Sequence, residues 1–402
     1  MAGYVPEVSV RAVSGLYEEP VCSQDGKERP TPSVDFKYPS VLADETSVIR
    51  TPAAGQNERQ DMTVEKILTI TVPSYNVEKF LEKTLDSFLA EEVLGELEVL
   101  IVDDGSKDRT AQIGKKYEEK YPGTFRVISK ENGGHGSTIN RGIREARGKY
   151  FKVVDGDDWV DTDGLAELIR RLRACEADYV FTNYYEVNDG TGELHAVTFP
   201  GIRTEEVIPF ASLAGETRIS MHALVLKTSI LKENRIRLDE HCFYVDVEYI
   251  LYPVPYLKTA VYFDIFVYMY RLAQATQSVS MAGYQKHIQN HIDVILHVLD
   301  YINEYKKQPG CDEVKVGYMS HRIAEMTRDQ VDIFTSFPLG DKSIRRRFRE
   351  FDAAVKEKSP SVYEKSGEYS GMLRLLRKTG FRFYVPIVKL SKMRNGETKT
   401  EN

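Results

Sequence analysis

The chain has 402 residues, 42% of them hydrophobic, enough for one sizeable core and a smaller one and too many for disorder throughout. Its formal net charge of -7 excludes a global positive field, so no nucleic-acid partner is expected. Cys22, Cys175, Cys242 and Cys311 show no CxxC spacing and read as reduced thiols, and with no apolar leader or run of about 18 apolar residues the chain is expected to be cytoplasmic.

Residues 1–62 mix Pro, Ser, Asp, Glu and Gln with isolated apolar residues and hold no steady period, as expected of a disordered leader. Order is predicted from Lys66. The run Ile67 to Val72 reads as a strand buried on both faces, and Phe80, Leu81, Leu85, Phe88 and Leu89 follow at helical spacing. The pattern repeats with a strand over Glu98 to Val102, a helix over Asp108 to Lys120, and a strand over Phe125 to Ser129. A helix over Ser137 to Ala146 and a strand over Tyr150 to Val154 complete it. Such alternation predicts an α/β fold with a mostly parallel sheet flanked by helices, and in such sheets ligands bind beyond the carboxyl ends of the strands. From Tyr284 the pattern turns helical, with Ile288, Ile292, Ile295, Leu299 and Ile302 on one face. Further helices are predicted near Ile323 to Phe334 and Ile344 to Val355. The expected division is a leader over 1–62, a sheet domain over 63–283, a helical region over 284–360 and a basic amphipathic tail over 361–402.

Three strands end in polar turns that should share one crevice: Pro73-Ser74-Tyr75-Asn76, Asp103-Asp104-Gly105-Ser106 and Asp155-Gly156-Asp157-Asp158. Carboxylates clustered at a strand end repel one another unless a cation joins them, and their oxygens are the hard ligands preferred by Mg2+ or Mn2+. Read alone, Asp155 to Asp158 is equally an acidic turn capping the next helix. Asp103 to Ser106 alone is equally an Asx-type turn. Asn132-Gly133-Gly134-His135-Gly136 precedes a helix and lets backbone approach a ligand, although a glycine run alone is more often only a loop.

The ordered set formed by these three turns, the glycine loop and Gly148-Lys149-Tyr150 resembles the family 2 glycosyltransferases of the GT-A, Rossmann-like fold, over about residues 64 to 280. The resemblance implies that Pro73 and Tyr75 pack on a nucleobase, that Asp104 bonds the base, and that Asp103 and Ser106 support that turn. It places Asp155 near the ribose and makes Asp157 the ligand of Mn2+ or Mg2+ on the diphosphate, with Asp158 an indirect ligand or a helix cap. Ile219-Ser220-Met221-His222 looks like the strand beside the acceptor pocket, which His222 would line; a lone histidine is otherwise a structural residue. Phe243-Tyr244-Val245-Asp246-Val247-Glu248 is similar to the family's F-Y-E-D segment, with Val245 where an acid is frequent. There Asp246 would be the catalytic base of an inverting transfer, with Glu248 its rival. Tyr270-Arg271 and Ser278-Val279-Ser280 match the loop that closes over the diphosphate. For Arg271 a surface ion pair is the competing reading.

The implied activity is transfer of a sugar from a nucleotide-diphosphate donor, UDP-sugar favoured, to a glycan or lipid-linked acceptor in surface polysaccharide or glycolipid synthesis. The sole tryptophan, Trp159, lies outside any Q-x-x-R-W motif, so single addition is favoured over processive synthesis. A nucleotidyltransferase of related fold and a non-catalytic nucleotide-sugar-binding module are the competing functions. The first ordinarily has a basic, glycine-rich loop after the first strand, unlike Pro73 to Asn76. Residues 372–394 interleave apolar and basic side chains without an acid, reading either as a surface for anionic membrane at the inner face of the cell membrane or as a helix packed on the protein's own acidic face.

Overall fold

The computed structural model describes residues 65–213, 218–272 and 279–394, so the leader expected over 1–62 and Ser278 of the diphosphate loop lie outside the described residues. Ten strands form one sheet: β1 (Leu68–Ser74), β2 (Leu97–Asp103), β3 (Phe125–Ser129), β4 (Tyr150–Val153), β5 (Trp159–Val160), β6 (Tyr179–Asn188), β7 (Leu194–Val197), β8 (Ile208–Pro209), β9 (Leu224–Lys227) and β10 (Thr259–Leu272). Their order is β3-β2-β1-β4-β9-β6-β10-β5, with β7 on β6 and β8 on β10. Every residue of β1 and β2 is buried, the condition of strands covered by helices on both faces.

Register puts the polar turns on one edge. Parallel pairing sets Ser74 opposite Asp103 and Thr71 opposite Val153, and Asp103 opposite Ser129. The loops after β1, β2, β3 and β4 therefore leave the sheet side by side. Strand β9 runs antiparallel between β4 and β6, an interruption that the βαβ pattern did not predict. Beyond it β6 and β10 pair in parallel through two irregularities of register, and β5 returns antiparallel so that Trp159 faces Met269.

Helices over Leu81–Asp86, Thr110–Lys120, His135–Glu145 and Thr162–Ala174 flank the sheet. Asp161 accepts from the Gly164 N–H at 2.8 Å and caps the last of them. The cap is thus Asp161, while Asp155, Asp157 and Asp158 stand before β5 and perform no capping there.

The helical region spans Met281–Lys286, Ile288–Lys306, Glu313–Ser336, Lys342–Lys358 and Pro360–Tyr369, followed by Gly371–Lys378 and Tyr384–Arg394. Its buried side chains join those of the sheet in one core cluster. Tyr318 meets Phe210 edge to face with ring centroids 5.4 Å apart, and the Tyr301 hydroxyl donates to the Tyr252 carbonyl at 2.6 Å. The last two helices are docked on one side: Leu373, Leu376, Phe381, Tyr384 and Val388 are buried, Phe381 packs on Phe348, and Arg377 pairs with Asp352 at 2.8 Å. Among the described residues no helix is long and apolar enough to cross a membrane.

Candidate active site

The first two turns lock together before any ligand is considered. Asp104 N–H donates to the Ser74 carbonyl at 2.9 Å. Asn76 N–H donates to Ser106 Oγ at 3.0 Å and Lys107 N–H to Asn76 Oδ1 at 2.8 Å. Asn76 has a φ of 54°, a left-handed conformation that asparagine tolerates better than most residues. Pro73 lies within buried β1, and its carbonyl accepts from Gly156 N–H at 3.0 Å. Tyr75, half-buried, follows at the strand end.

The two acids of the second turn face different tasks. Asp103 Oδ1 accepts from Ser106 N–H at 3.1 Å; among the described residues no donor meets its Oδ2. Asp104 is 2% exposed, and its carboxylate accepts from Lys130 Nζ at 2.5 Å, Gly133 N–H at 2.9 Å, Gly134 N–H at 2.8 Å and Ser137 Oγ at 3.4 Å. Oδ1 takes three of these contacts and Oδ2 only the one from Gly134, so Asp104 holds the glycine loop and keeps an Oδ2 lone pair unfilled among the described residues.

The glycine loop in turn ties the sheet to the acceptor side. Gly134 adopts a φ of 82°, and a side chain there would stand 3.2 Å from the His241 backbone. A Cβ on Gly136 would fall 2.0 Å from the Asp239 carbonyl, so only glycine lets this helix start against the 239–242 segment. His135 begins the helix between these contacts. Its Nε2 meets Asp155 Oδ1 at 2.8 Å. Burial works against the charged imidazole, yet Asp155 foremost, then Asp246 and Asp157, raise its pKa above the ordinary value. Burial likewise opposes ionisation of Asp155, but His135 holds that carboxyl below its usual range.

Asp157 has no comparable counterion. Burial first, then Asp155, push its carboxyl up to about 6, against weaker pulls from Arg271 and His135. Asp158 is 2% exposed; it accepts from the Tyr268 hydroxyl at 2.6 Å and from Arg271 N–H at 2.8 Å, which fastens the acidic loop to β10. Arg271 is 6% exposed. Its Nε donates to the Asp157 carbonyl at 2.6 Å, it pairs with Asp189, and its guanidinium lies over the rings of Trp159 and Phe80. The structure thus sets Arg271 beneath the acidic loop. The arginine side of its ion pair with Asp189 is buried, and residues 273–278 of the loop expected to close over the diphosphate lie outside the described residues.

On the acceptor side, Asp246 opens the short helix Asp246–Leu251. Burial raises its carboxyl pKa, while the charges of His135 and Arg322 oppose the rise. Val245 is fully buried, which explains an apolar residue where an acid is frequent. Tyr244 stacks on Tyr284 with centroids 5.0 Å apart, so the helical region forms part of this wall. His222 stacks on Tyr270 at 3.9 Å, and burial lowers its pKa to about 4, leaving it neutral. Its carbonyl accepts from the buried Lys152 Nζ at 2.6 Å.

Glu248 is not brought to this cleft. It is 0% exposed, accepts from Asp239 N–H at 2.7 Å, and lies in the cluster of Asp239 and His297. Two positions along a helix turn a side chain through about 200°, so Asp246 and Glu248 face opposite ways. The fold therefore brings Asp155, Asp157 and Asp246 near His135, with His222 close to Asp155, sets Asp104 against Gly133 and Gly134, and ties Asp158 to Tyr268 and Arg271 of β10. His135 was quoted in the sequence only as part of a glycine loop. The signal that could have singled it out was an ionisable residue between glycines at a helix start.

The profile of the family "Glycosyl transferase family 2" matches residues 69–233. This segment belongs to glycosyl transferase family 2. The family 2 domain is similar to "Glycosyltransferase GlyA" of Streptococcus pneumoniae, with 34% identity over 131 residues, 33% of this chain and 18% of that protein. It is 38% identical over 120 residues to "Uncharacterized glycosyltransferase EpsJ" of Bacillus subtilis, covering 30% of this chain and 34% of that protein. The chain thus spans about a third or less of those two relatives. Residues 1–349 of S. aureus TarS in complex with UDP share the fold at a TM-score of 0.58 and 18% identity, covering 84% of this chain and 94% of that one. The GT-A-like sheet with a helical region after it is therefore a shared architecture.

Proposed function

We propose that the protein is an inverting, metal-dependent glycosyltransferase that moves a sugar from a nucleotide-diphosphate donor to a hydroxyl of a glycan or lipid-linked acceptor. It works in the cytoplasm, peripherally at the inner face of the cell membrane, in surface polysaccharide or glycolipid synthesis. The observation that supports this reading is the grouping of acids around His135, whose Nε2 lies 2.8 Å from Asp155 Oδ1 and whose imidazole also feels the charges of Asp246 and Asp157. A UDP-sugar is the favoured donor, in keeping with the UDP and UDP-GlcNAc complexes of TarS.

The residues present fit a divalent ion. Asp157 offers hard oxygen ligands, and its carboxyl is pushed up to about 6 by burial and Asp155 against weaker pulls from Arg271 and His135, so a bound cation would favour its charged form. Asp157 would hold Mn2+ or Mg2+, which when bound neutralises charge on the departing diphosphate. Pro73 and Tyr75 would pack on the base. Asp104, whose Oδ2 accepts only from Gly134 N–H among the described residues, would bond the base, and Asp103 would support that turn through its bond from Ser106 N–H. Asp155 would orient the ribose, and Arg271 keeps the Asp155 to Asp158 loop in place from below.

Asp246 would take the proton of the acceptor hydroxyl as that oxygen bonds to the anomeric carbon and the bond to the diphosphate breaks. Burial raises its pKa, which would make it a better proton acceptor than an ordinary aspartate, against the opposing charges of His135 and Arg322. His222, neutral, would line the acceptor pocket with Tyr270.

A panel of nucleotide sugars incubated with the protein and Mn2+, Mg2+ or EDTA tests the reading. One donor should release its nucleotide diphosphate with metal and none should with EDTA. Turnover unaffected by EDTA would remove the metal requirement, and nucleotide binding without any turnover would favour the non-catalytic module.

A further inference from the structure

The docked tail leaves a second face uncovered. Among the described residues eleven large hydrophobic side chains are exposed, and Leu375, Phe383, Val385, Leu390 and Met393 fall within this one short segment. Phe383 is 59% and Leu390 51% exposed. Elsewhere such residues are scattered singly, which needs no explanation.

The pattern follows from helical geometry. In Gly371–Lys378, Leu373 and Leu376 point into the core, so Arg374, Leu375 and Lys378 share the outer side. In Tyr384–Arg394, Tyr384 and Val388 are buried one turn apart, which turns Val385, Lys389, Leu390 and Met393 outward. Between the helices, Gly380 at φ 56° and Phe381 at φ 60° reverse the chain. Phe381 is thereby seated against Phe348, while Arg382 and Phe383 project to solvent. Of the acid partners open to the segment's arginines, Asp352 is already taken by Arg377.

We infer that this outer face is a docking surface for an anionic phospholipid bilayer. Its apolar side chains would enter the headgroup boundary, and Arg374, Lys378, Arg382 and Lys389 would meet lipid phosphates. The charge decides the occupant: the segment contains no acid over residues 372–394 and exposes Arg374, Lys378, Arg382 and Lys389 among its apolar side chains, a pairing that suits anionic headgroups above acyl chains, whereas a second copy meeting it through the same face would bring like charge. One face of the tail packs on the protein and the other faces outward. The surface concerns where the proposed transferase meets its acceptor, and it rests on that reading only for its purpose.

Co-sedimentation of the full chain with phosphatidylglycerol vesicles, against phosphatidylcholine vesicles, tests it without any turnover. Binding should be confined to the anionic vesicles and weaken with salt. Arg382→Gln with Lys389→Gln should weaken it about twenty-five-fold, at about fivefold per basic residue. Phe383→Ser and Leu390→Ser should each cost about tenfold. Val314→Ser, at an exposed apolar residue outside the tail, should change nothing. Equal melting temperatures of the variants would exclude misfolding. Failure of the parent to bind anionic vesicles overturns the proposal. So does a dimer that Phe383→Ser dissolves while vesicle binding persists. Neither result would touch the nucleotide-release assay.

Discussion

Replacing Asp246 with asparagine should lower turnover about a thousandfold, within the range that a positioned general base contributes, and leave donor affinity near that of the parent. The asparagine keeps the shape of the side chain at the start of the Asp246–Leu251 helix and removes only the ability to accept a proton. Because Asp246 acts on His135 through its charge, the variant should also let the His135 pKa fall, which an NMR titration of that imidazole would detect. Stopped assays with the donor identified in the screen, together with nucleotide titration calorimetry, separate the two effects. A full rate in Asp246→Asn would refute the assignment. Glu248 would then be an unsuitable substitute, since it is fully buried and directed at the Asp239 backbone.

Asp157→Ala should weaken metal-supported nucleotide binding about a hundredfold or more, because even outer-shell partners of a metal typically contribute 10–100-fold, roughly, to its affinity. In EDTA the parent and the variant should bind nucleotide alike. The same substitution has a second consequence that does not depend on ligand. A carboxyl raised to about 6 is less favourably ionised in the fold than in the unfolded chain. Above that pH its charge therefore costs stability, and the cost vanishes as pH falls below the unfolded value. Metal-free Asp157→Ala should accordingly melt at or above the temperature of the metal-free parent at pH 7. A lower melting temperature would make Asp157 a structural acid.

The sheet was legible because its first four strands are nearly unbroken apolar runs separated by helical periods, and the polar turns stand where those runs stop. Strand β9 escaped the pattern: four residues, Leu224–Lys227, look alike whether they run parallel or antiparallel. The site was legible as motifs, while the division of labour within them was not. Adjacent acids such as Asp103 and Asp104 are equivalent on paper. Only the approach of the Gly133 and Gly134 N–H groups and Lys130 separates the one that holds the glycine loop from its neighbour. Arg271 likewise reads as a solvent-facing cation until Trp159 and Phe80 are seen against its guanidinium. Glu248 became distinguishable from Asp246 once a helix began at position 246.

A structure of the protein soaked with UDP and Mn2+, with the ion located by its anomalous signal, tests the shared cleft most directly. The account predicts the ion within about 2.2 Å of an Asp157 oxygen, at the distance such ions keep from carboxylates, and the uracil between Tyr75 and Asp104. An ion away from Asp157, or a nucleotide bound outside the loops that follow β1, β2 and β4, would contradict it.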